Sequence, residues 1–397
     1  MFSTLKEALK EIEARNQKTT KDKFKEILKN ENIDYSMLKV IHITGTNGKG
    51  STLNYVQAIL KQLGYKVGTF SSPYIIKHND RICINGEMIN DNIFLTLIND
   101  CYPIIKKYNL SMFESDILIM LVYFIKEKVD YAVIEVGIGG LEDKTNIIDG
   151  EITVITSIGY DHLKQLGPTL KDIARHKAGI IKNNCQVVLP RMSESILNIF
   201  LKEAKNKQAN VHLVDIPKIK SHPYKFSFKN YQNLMLENVG SYQVNNFLLA
   251  LQTCLLINSN IDREIIDKVL SETFWVGRFE KINNIILDGA HNIDGISSLI
   301  ETLKLMKIKK VGIIFSALND KDYFEMLNLM LKESYYITVC GFEDKRVIDF
   351  EATASLNNIN YFKDFNKAYE TYLTKDFEII VVTGSLHFIS YVRGILV

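Results

Sequence analysis

The turn Gly45-Thr46-Asn47-Gly48-Lys49-Gly50-Ser51 directly follows the apolar run Val40-Ile41-His42-Ile43 and opens an amphipathic segment from Ser51 to Leu63. Strand, glycine turn and helix in this order bring backbone N–H groups to one point, where the helix end adds partial positive charge and Lys49 a full one. A point of that kind receives phosphate. Taken alone, the stretch also reads as an ordinary glycine turn, so the rest of the chain has to decide. Its spacing departs from G-x-x-x-x-G-K-[ST]: two residues separate Gly45 from Gly48, and Gly50 stands between Lys49 and Ser51.

From residue 39 onward apolar strands alternate with amphipathic helices. The pattern predicts strands at Val40–Thr44, Val67–Phe70, Tyr131–Glu135, Ile152–Thr156 and Gln186–Leu189, with helices at roughly 51–63, 91–108, 114–128 and 194–207. That rhythm is the signature of parallel βαβ units with helices on both faces. Residues 5–29 carry helical periodicity and are expected as one or two surface helices. Short strands at Lys225–Phe228 and Leu234–Leu236 break the rhythm, and helices at Gln243–Ile257 and Asp262–Ser271 follow. A second alternation then runs through Ile285–Leu287, helix 293–306, Val311–Phe315, helix 321–332, Tyr336–Val339, helix 349–357 and Ile379–Thr383. The expected fold is therefore α/β. A phosphate-loop domain with a mainly parallel sheet spans 1–275, and a smaller Rossmann-like α/β domain spans 276–397.

Composition narrows the function classes. With 397 residues the chain exceeds one ordinary core, and a net charge of +2 provides no broad basic excess for nucleic acid. Five scattered cysteines without metal-finger spacing read as free thiols in a reducing compartment. The N-terminus mixes acids and bases, and the apolar run Ile117–Ile125 is too short to span a bilayer. A cytoplasmic monomer acting on small molecules is expected, with no nucleic-acid or membrane partner.

Four further segments carry chemistry. Ser71-Ser72-Pro73-Tyr74 closes the strand after the first helix and is followed by Asn79-Asp80-Arg81 and Asn85-Gly86. Glu135 ends a strand before Gly137-Ile138-Gly139-Gly140, where an acid beside a phosphate loop is either a magnesium ligand or a solvated strand end. His162 (in Thr156-Ser157-Ile158-Gly159-Tyr160-Asp161-His162) reads by itself as a cap or a surface histidine. Beyond it come Lys177-Ala178-Gly179, Gln243-x-x-Asn246, Trp275-Val276-Gly277-Arg278, Leu287-Asp288-Gly289-Ala290-His291-Asn292 and Thr383-Gly384-Ser385. Asp320-Lys321-Asp322 reads equally as a motif or as an N-cap before a helix. His42, His78, His212, His222 and His387 read as ordinary structural or surface histidines.

From about residue 37 to 392 these motifs, in this order, resemble the folylpolyglutamate synthase/dihydrofolate synthase branch of the Mur ligase superfamily. The resemblance implies ATP, bound by Thr46, Asn47, Gly48, Lys49, Gly50 and Ser51, with Asn246 at adenine, Arg278 at the phosphates and Asp288 at the ribose. It implies one or two Mg2+ ions at Ser72, Glu135 and His162, and a lysine carbamate at Lys177. Folate would meet Ser71, Pro73, Tyr74, Arg81 and Asp143, and the incoming L-glutamate would meet His291 and Ser385. Lys49, Lys177 and His291 would be catalytic. Three positions depart from the family pattern: Leu141 replaces an arginine, Tyr242 a histidine and Val276 a proline. The implied activity is ATP-dependent addition of glutamate to the γ-carboxylate of a folate through an acyl phosphate. Dihydrofolate synthase activity, alone or in addition, is the near alternative. A nucleotide-driven switch without ligase chemistry is the remote one. A dehydrogenase is disfavoured by the lysine in the turn and the missing G-x-G-x-x-G.

Overall fold

The structure is a computed structural model and describes residues 1–397 except 18, 320, 334 and 352–358. Contacts divide the chain into two compact units, Met1–Ile216 with Asn245–Val269, and Pro217–Val244 with Leu270–Val397. A single cut at 275/276 was expected; the chain instead passes between the units three times. Residues 217–244 belong to the second unit, and polar groups at their end are bonded within it. The Ser241 N–H and hydroxyl both reach Thr302 Oγ1 at 3.0 Å, and the Tyr242 hydroxyl donates to Asp288.

In the first unit the strands are β1 (Val40–Thr44), β2 (Val67–Phe70), β3 (Ile82–Ile84), β4 (Glu87–Met88), β5 (Tyr131–Glu135), β6 (Ile152–Ile155), β7 (Gln186–Pro190) and β8 (Asn210–Val214). Their order across the sheet is β4-β3-β2-β5-β1-β6-β7-β8, parallel apart from the edge hairpin β3–β4 and its pairing to β2. All five residues of β1 are buried, as a parallel strand covered on both faces requires. The edge hairpin turns at Asn85-Gly86, both at positive φ. Since β1, β2, β5 and β6 run the same way, the loops leaving their carboxyl ends gather along one edge.

The two N-terminal helices, Leu5–Glu13 and Lys21–Asn30, begin at Thr4 and Thr20, whose hydroxyls cap the first-turn amides. They are not mere surface helices: Ala8, Ile12, Phe24, Ile27 and Leu28 are buried in the same cluster as Phe70, Phe94, Phe124 and Ile134. The helical period was legible in the sequence; which stripe meets the core was not.

The second unit carries β9 (Tyr224–Phe228) and β10 (Tyr231–Leu236) as an antiparallel pair, and a six-stranded sheet. The latter is built from β11 (Glu280–Ile282), β12 (Ile285–Asp288), β13 (Val311–Phe315), β14 (Tyr336–Cys340), β15 (Asn360–Phe362) and β16 (Ile379–Thr383), in the order β11-β12-β16-β13-β14-β15. Only β11 is antiparallel to its neighbour. Asp320 and most of the helix expected at 349–357 lie outside the described residues. Among those described, no helix is long and apolar enough to cross a membrane.

Because Phe24 is fully buried, Phe24→Ala should cost about 3–5 kcal/mol of stability in urea unfolding. A loss under about 1 kcal/mol would mean that the helix only rests on the surface.

Candidate functional site

The glycine turn leaves β1 and is stitched to the end of β6. The Thr46 N–H donates to Ser157 O at 3.0 Å, and the Thr46 hydroxyl bridges the Gly159 carbonyl and amide, both at 3.0 Å. The Asn47 N–H donates to the Ser157 hydroxyl at 2.9 Å, while the Thr156 hydroxyl donates to Asn47 O at 2.6 Å. Two of the six residues expected to cradle phosphate therefore spend their amides on holding the turn in shape. The amides left for the expected phosphate are those at the start of the helix Lys49–Gln62, whose N-cap Gly48 supplies no side-chain cap. Gly48 has φ +87°, and a Cβ there would lie 2.3 Å from Asn246 Oδ1. Asn246, expected at adenine, thus sits directly against the turn.

Lys49 Nζ lies 3.4 Å from Thr46 O and 3.8 Å from Glu135 Oε1, and Glu135 Oε2 accepts the Ser72 N–H at 3.3 Å. The carboxyl ends of β1, β5 and β2 thereby bring together Lys49, Glu135 and Ser72. His162 lines a cavity of about 680 Å³ together with Ser72, Pro73, Arg81 and Asp143. Its ring lies 3.8 Å from Asp161. Phe113, Met112, Arg15, Lys144, Gln165 and His176 complete much of the wall, which therefore mixes apolar and charged side chains. Among the described residues no cluster of three His, Cys, Asp or Glu side chains forms a metal cage. One buried carboxylate beside a hydroxyl-bearing Ser72 and a phosphate-receiving turn nevertheless suits Mg2+, which holds few protein ligands and completes its shell with water and phosphate oxygens.

Lys177 is 3 % exposed. Burial, then the charge of Lys49, brings its pKa down to about 7, against the opposing pull of Asp161 and Asp143. Asp143 is fixed by donors: its oxygens accept the Thr145 N–H at 2.9 Å, the Thr145 hydroxyl at 2.6 Å and the Ile138 N–H at 3.0 Å. Burial still holds its carboxyl above the ordinary range. Expected as a folate contact, Asp143 also organises the loop after β5. Thr145 in turn meets buried His42 at 2.8 Å. Leu141, at the position of the family's arginine, lies outside the cavity wall, its Cβ close against Gly179.

Ser71 donates its amide to Arg81 O at 2.9 Å, and the Arg81 guanidinium stands 5.5 Å from the Tyr74 ring. Sequence reading missed three groups here. His78, read as ordinary, is buried between Glu13 and Asp116 at 3.0 and 2.9 Å. Those partners lie 65 and 38 residues away along the chain, so no local motif marks them.

In the second unit β12 and β16 are neighbours, with Asp288 opposite Thr383. Asp288 accepts from the Tyr242 hydroxyl at 2.5 Å, the Phe279 N–H at 3.0 Å and the Ala290 N–H at 2.9 Å. Burial raises its pKa; Tyr242 and Arg278 oppose the shift. The tyrosine that replaces the family's histidine is therefore an Asp288 partner. Arg278 Nη1 donates to Gly289 O at 3.1 Å, and His291 Nδ1 meets the same carbonyl at 2.8 Å. Ser385 caps the last helix, Leu386–Leu396, by accepting from His387 N–H. Arg278, Asp288, His291 and Ser385 are thus grouped at two adjacent strand ends.

Family models match along both units: the Mur ligase middle domain over residues 43–254, and the Mur ligase glutamate ligase domain over 277–386. The dihydrofolate synthase/folylpolyglutamate synthase of Bacillus subtilis (strain 168) is 32% identical over 386 residues, covering 90% of each chain. The chain belongs to the folylpolyglutamate synthase/dihydrofolate synthase family of Mur ligases. Within this family, the folylpolyglutamate synthase of Lacticaseibacillus casei is also 32% identical, again over 90% of each chain. The solved structure of E. coli FolC in complex with ADP, without folate substrate, superposes with a TM-score of 0.87 at 25% identity. It covers 99% of this chain and 97% of that one.

The Lys177 environment has a thermodynamic signature. With a pKa near 7 in the folded state against about 10.4 unfolded, the unfolded chain binds more protons between those values, so this site lets stability rise with pH across that window. Lys177→Met should therefore raise the Tm most near pH 7 and progressively less toward pH 10. A Tm gain independent of pH would show that Lys177 titrates normally.

Proposed function

We propose that the chain is an ATP-dependent ligase that joins L-glutamate to the γ-carboxylate of tetrahydrofolate or a folylpolyglutamate, releasing ADP and phosphate. The observation carrying this reading is the juxtaposition of Lys49, Glu135 and Ser72 at the phosphate turn, beside an amphipathic cavity large enough for a pterin. It is supported by family membership and by the ADP complex of the E. coli relative.

A carboxylate does not condense with an amine in water because oxide is too poor a leaving group. Transfer of the γ-phosphoryl group to a carboxylate oxygen gives an acyl phosphate. The glutamate amine then adds to its carbonyl, phosphate departs and an amide remains. In the first unit Lys49 and the amides opening the helix Lys49–Gln62 offset phosphate charge, with Thr46, Asn47, Gly50 and Ser51 shaping the turn and Asn246 backing it. Glu135, Ser72 and His162 would hold Mg2+, which when bound neutralises phosphate charge. Ser71, Pro73, Tyr74, Arg81 and Asp143 form or support the folate cavity. In the second unit Arg278 and Asp288 serve the nucleotide, and His291 and Ser385 receive the amino acid.

Lys177 has a further role. A neutral buried amine adds CO2 to form a carbamate and releases one proton, turning a cation into an anion beside Lys49. A pKa near 7 leaves much of the amine neutral at physiological pH, which an ordinary lysine would not be. The protein is taken to work as a cytoplasmic monomer.

ATP hydrolysis measured with folate and glutamate omitted in turn should collapse without either; turnover on ATP alone would favour a nucleotide switch instead. Lys49→Ala should lower kcat at least about 10²-fold with the fold intact. Near-normal turnover would remove the turn from the mechanism. Lys177→Ala should be almost inactive, with short carboxylic acids partly restoring the rate; full activity would reduce Lys177 to packing. Dihydropteroate should be the poorer acceptor because Leu141, exposed and next in the chain to the lining residue Glu142, offers no donor, and Leu141→Arg, long enough to reach past it, should improve dihydropteroate use selectively. Equal kcat/KM for both acceptors in the unaltered enzyme would contradict this.

A further inference from the structure

The least explained group in the first unit is the buried charge cluster behind the cavity. Arg81 is 5 % exposed and lines the cavity, yet its Nε and Nη1 have no hydrogen-bond partner among the described residues. Its counter-charge, Asp116, is fully buried, and the closest approach is 3.6 Å from Arg81 Nε to Asp116 Oδ2, which itself lacks a hydrogen bond. A guanidinium and a carboxylate that could form two short bonds stand apart instead.

The reason lies on the other side of Asp116. Its Oδ1 is 2.9 Å from His78 Nε2, and the second ring nitrogen, Nδ1, is 3.0 Å from Glu13 Oε1. Carboxylates only accept hydrogen bonds, so satisfying both contacts requires a proton on each ring nitrogen, which makes the ring an imidazolium. The charge balance points the same way: three carboxyl groups, part-exposed Glu13, fully buried Asp116 and largely buried Asp80, surround the single guanidinium of Arg81, so a charged His78 reduces an excess of negative charge. Glu13 comes from the first helix, Asp116 from the helix Met112–Glu127, and Arg81 from the same loop as His78. The ring neighbours of His78 are Tyr74 at 5.4 Å and Phe94 at 5.9 Å, and Asp80 of the same turn accepts the Ile75 and Ile76 amides at 2.9 and 2.7 Å. Burial lowers the histidine pKa, but Asp116 and Glu13 outweigh it and leave it above 6.5.

We propose that His78 is a positioning residue for acceptor binding: clamped between Glu13 and Asp116, it draws the Asp116 carboxylate away from Arg81 and leaves that guanidinium open to the carbonyl or carboxylate oxygens of the acceptor. The proposal rests on the reading of the cavity as the acceptor site. It also assigns a task to the N-terminal helix, whose Glu13 closes the clamp and receives the Tyr74 hydroxyl at 3.5 Å. When His78 loses one proton it keeps a single N–H to share between Glu13 and Asp116 and loses its charge, so its hold on Asp116 weakens against the pull of Arg81 and acceptor affinity falls as pH rises through the histidine titration.

The test is steady-state kinetics on the full chain with tetrahydrofolate, from pH 6 to 9, for the unaltered protein, His78→Gln and Glu13→Gln. For His78→Gln the acceptor KM should rise about tenfold or more, the ATP KM should stay within about twofold, and the rise of acceptor KM with pH should disappear. Glu13→Gln keeps the buried His78–Asp116 pair and changes a part-exposed partner, so it covers the case in which His78→Gln does not fold. It should move the pH-dependent rise in acceptor KM to lower pH. An unchanged acceptor KM, acceptor and ATP KM rising together, or a Glu13→Gln profile identical to the unaltered protein would each overturn the clamp. Absence of turnover on any folate in the unaltered protein would count against the proposed function instead. The 15N titration of the His78 ring would then decide the clamp: a proton retained above pH 6.5 and lost earlier in Glu13→Gln supports it, and a neutral ring at pH 6.5 overturns it.

Discussion

The parallel pairing of β1 between β5 and β6 is the constraint on which the first unit's chemistry depends. Parallel neighbours end at the same edge, so the phosphate turn after Thr44, the carboxylate of Glu135 and the loop after Ile155 must meet there. The hydrogen bonds from Thr46 and Asn47 to the 156–159 loop show what maintains this meeting. A one-residue slip in register would move every side chain of a strand buried on both faces into the place shaped for its neighbour and carry the turn away from the ends of β5 and β6. The second unit repeats the device with β12 and β16, whose aligned ends carry Asp288 and Thr383.

Charge is the second organising theme. Two lysines, Lys49 and Lys177, lie close enough for one to depress the other's pKa, while Glu135, Asp143 and Asp161 supply the opposite sign. Two like charges held close carry an electrostatic cost, which the proposed phosphate at Lys49 or the proposed carbamate at Lys177 would relieve. The Asp143 carboxylate tolerates its burial because three donors surround it. Binding energy and local instability are thus two views of the same arrangement.

Much of this was legible in the sequence because it is local. Val40–Thr44, Val67–Phe70, Tyr131–Glu135 and the helix 91–108 are long enough and periodic enough to be read from pattern alone, and the structure has them at those bounds. The helix Leu170–Ala178 was not proposed, although Thr169 and Asp172 form its capping box. Short strands such as β11 and β15, three residues each, carry too little pattern to register. At the site, motif residues were legible while their partners were not. Tyr242 with Asp288, His78 with Glu13 and Asp116, and Asn246 against Gly48 are joined across 38 to 198 residues by tertiary packing, which local spacing does not encode. The allocation of 217–244 to the second unit was missed for the same reason.

The account turns on whether the folate carboxylate is itself phosphorylated. The direct measurement uses acceptor carrying 18O in both oxygens of its γ-carboxylate, with the released phosphate analysed by mass spectrometry after single-turnover ligation. If the carboxylate attacks the γ-phosphoryl group and the amine later expels phosphate, one labelled oxygen must appear in each phosphate formed. Ligation that leaves the phosphate unlabelled would contradict the account.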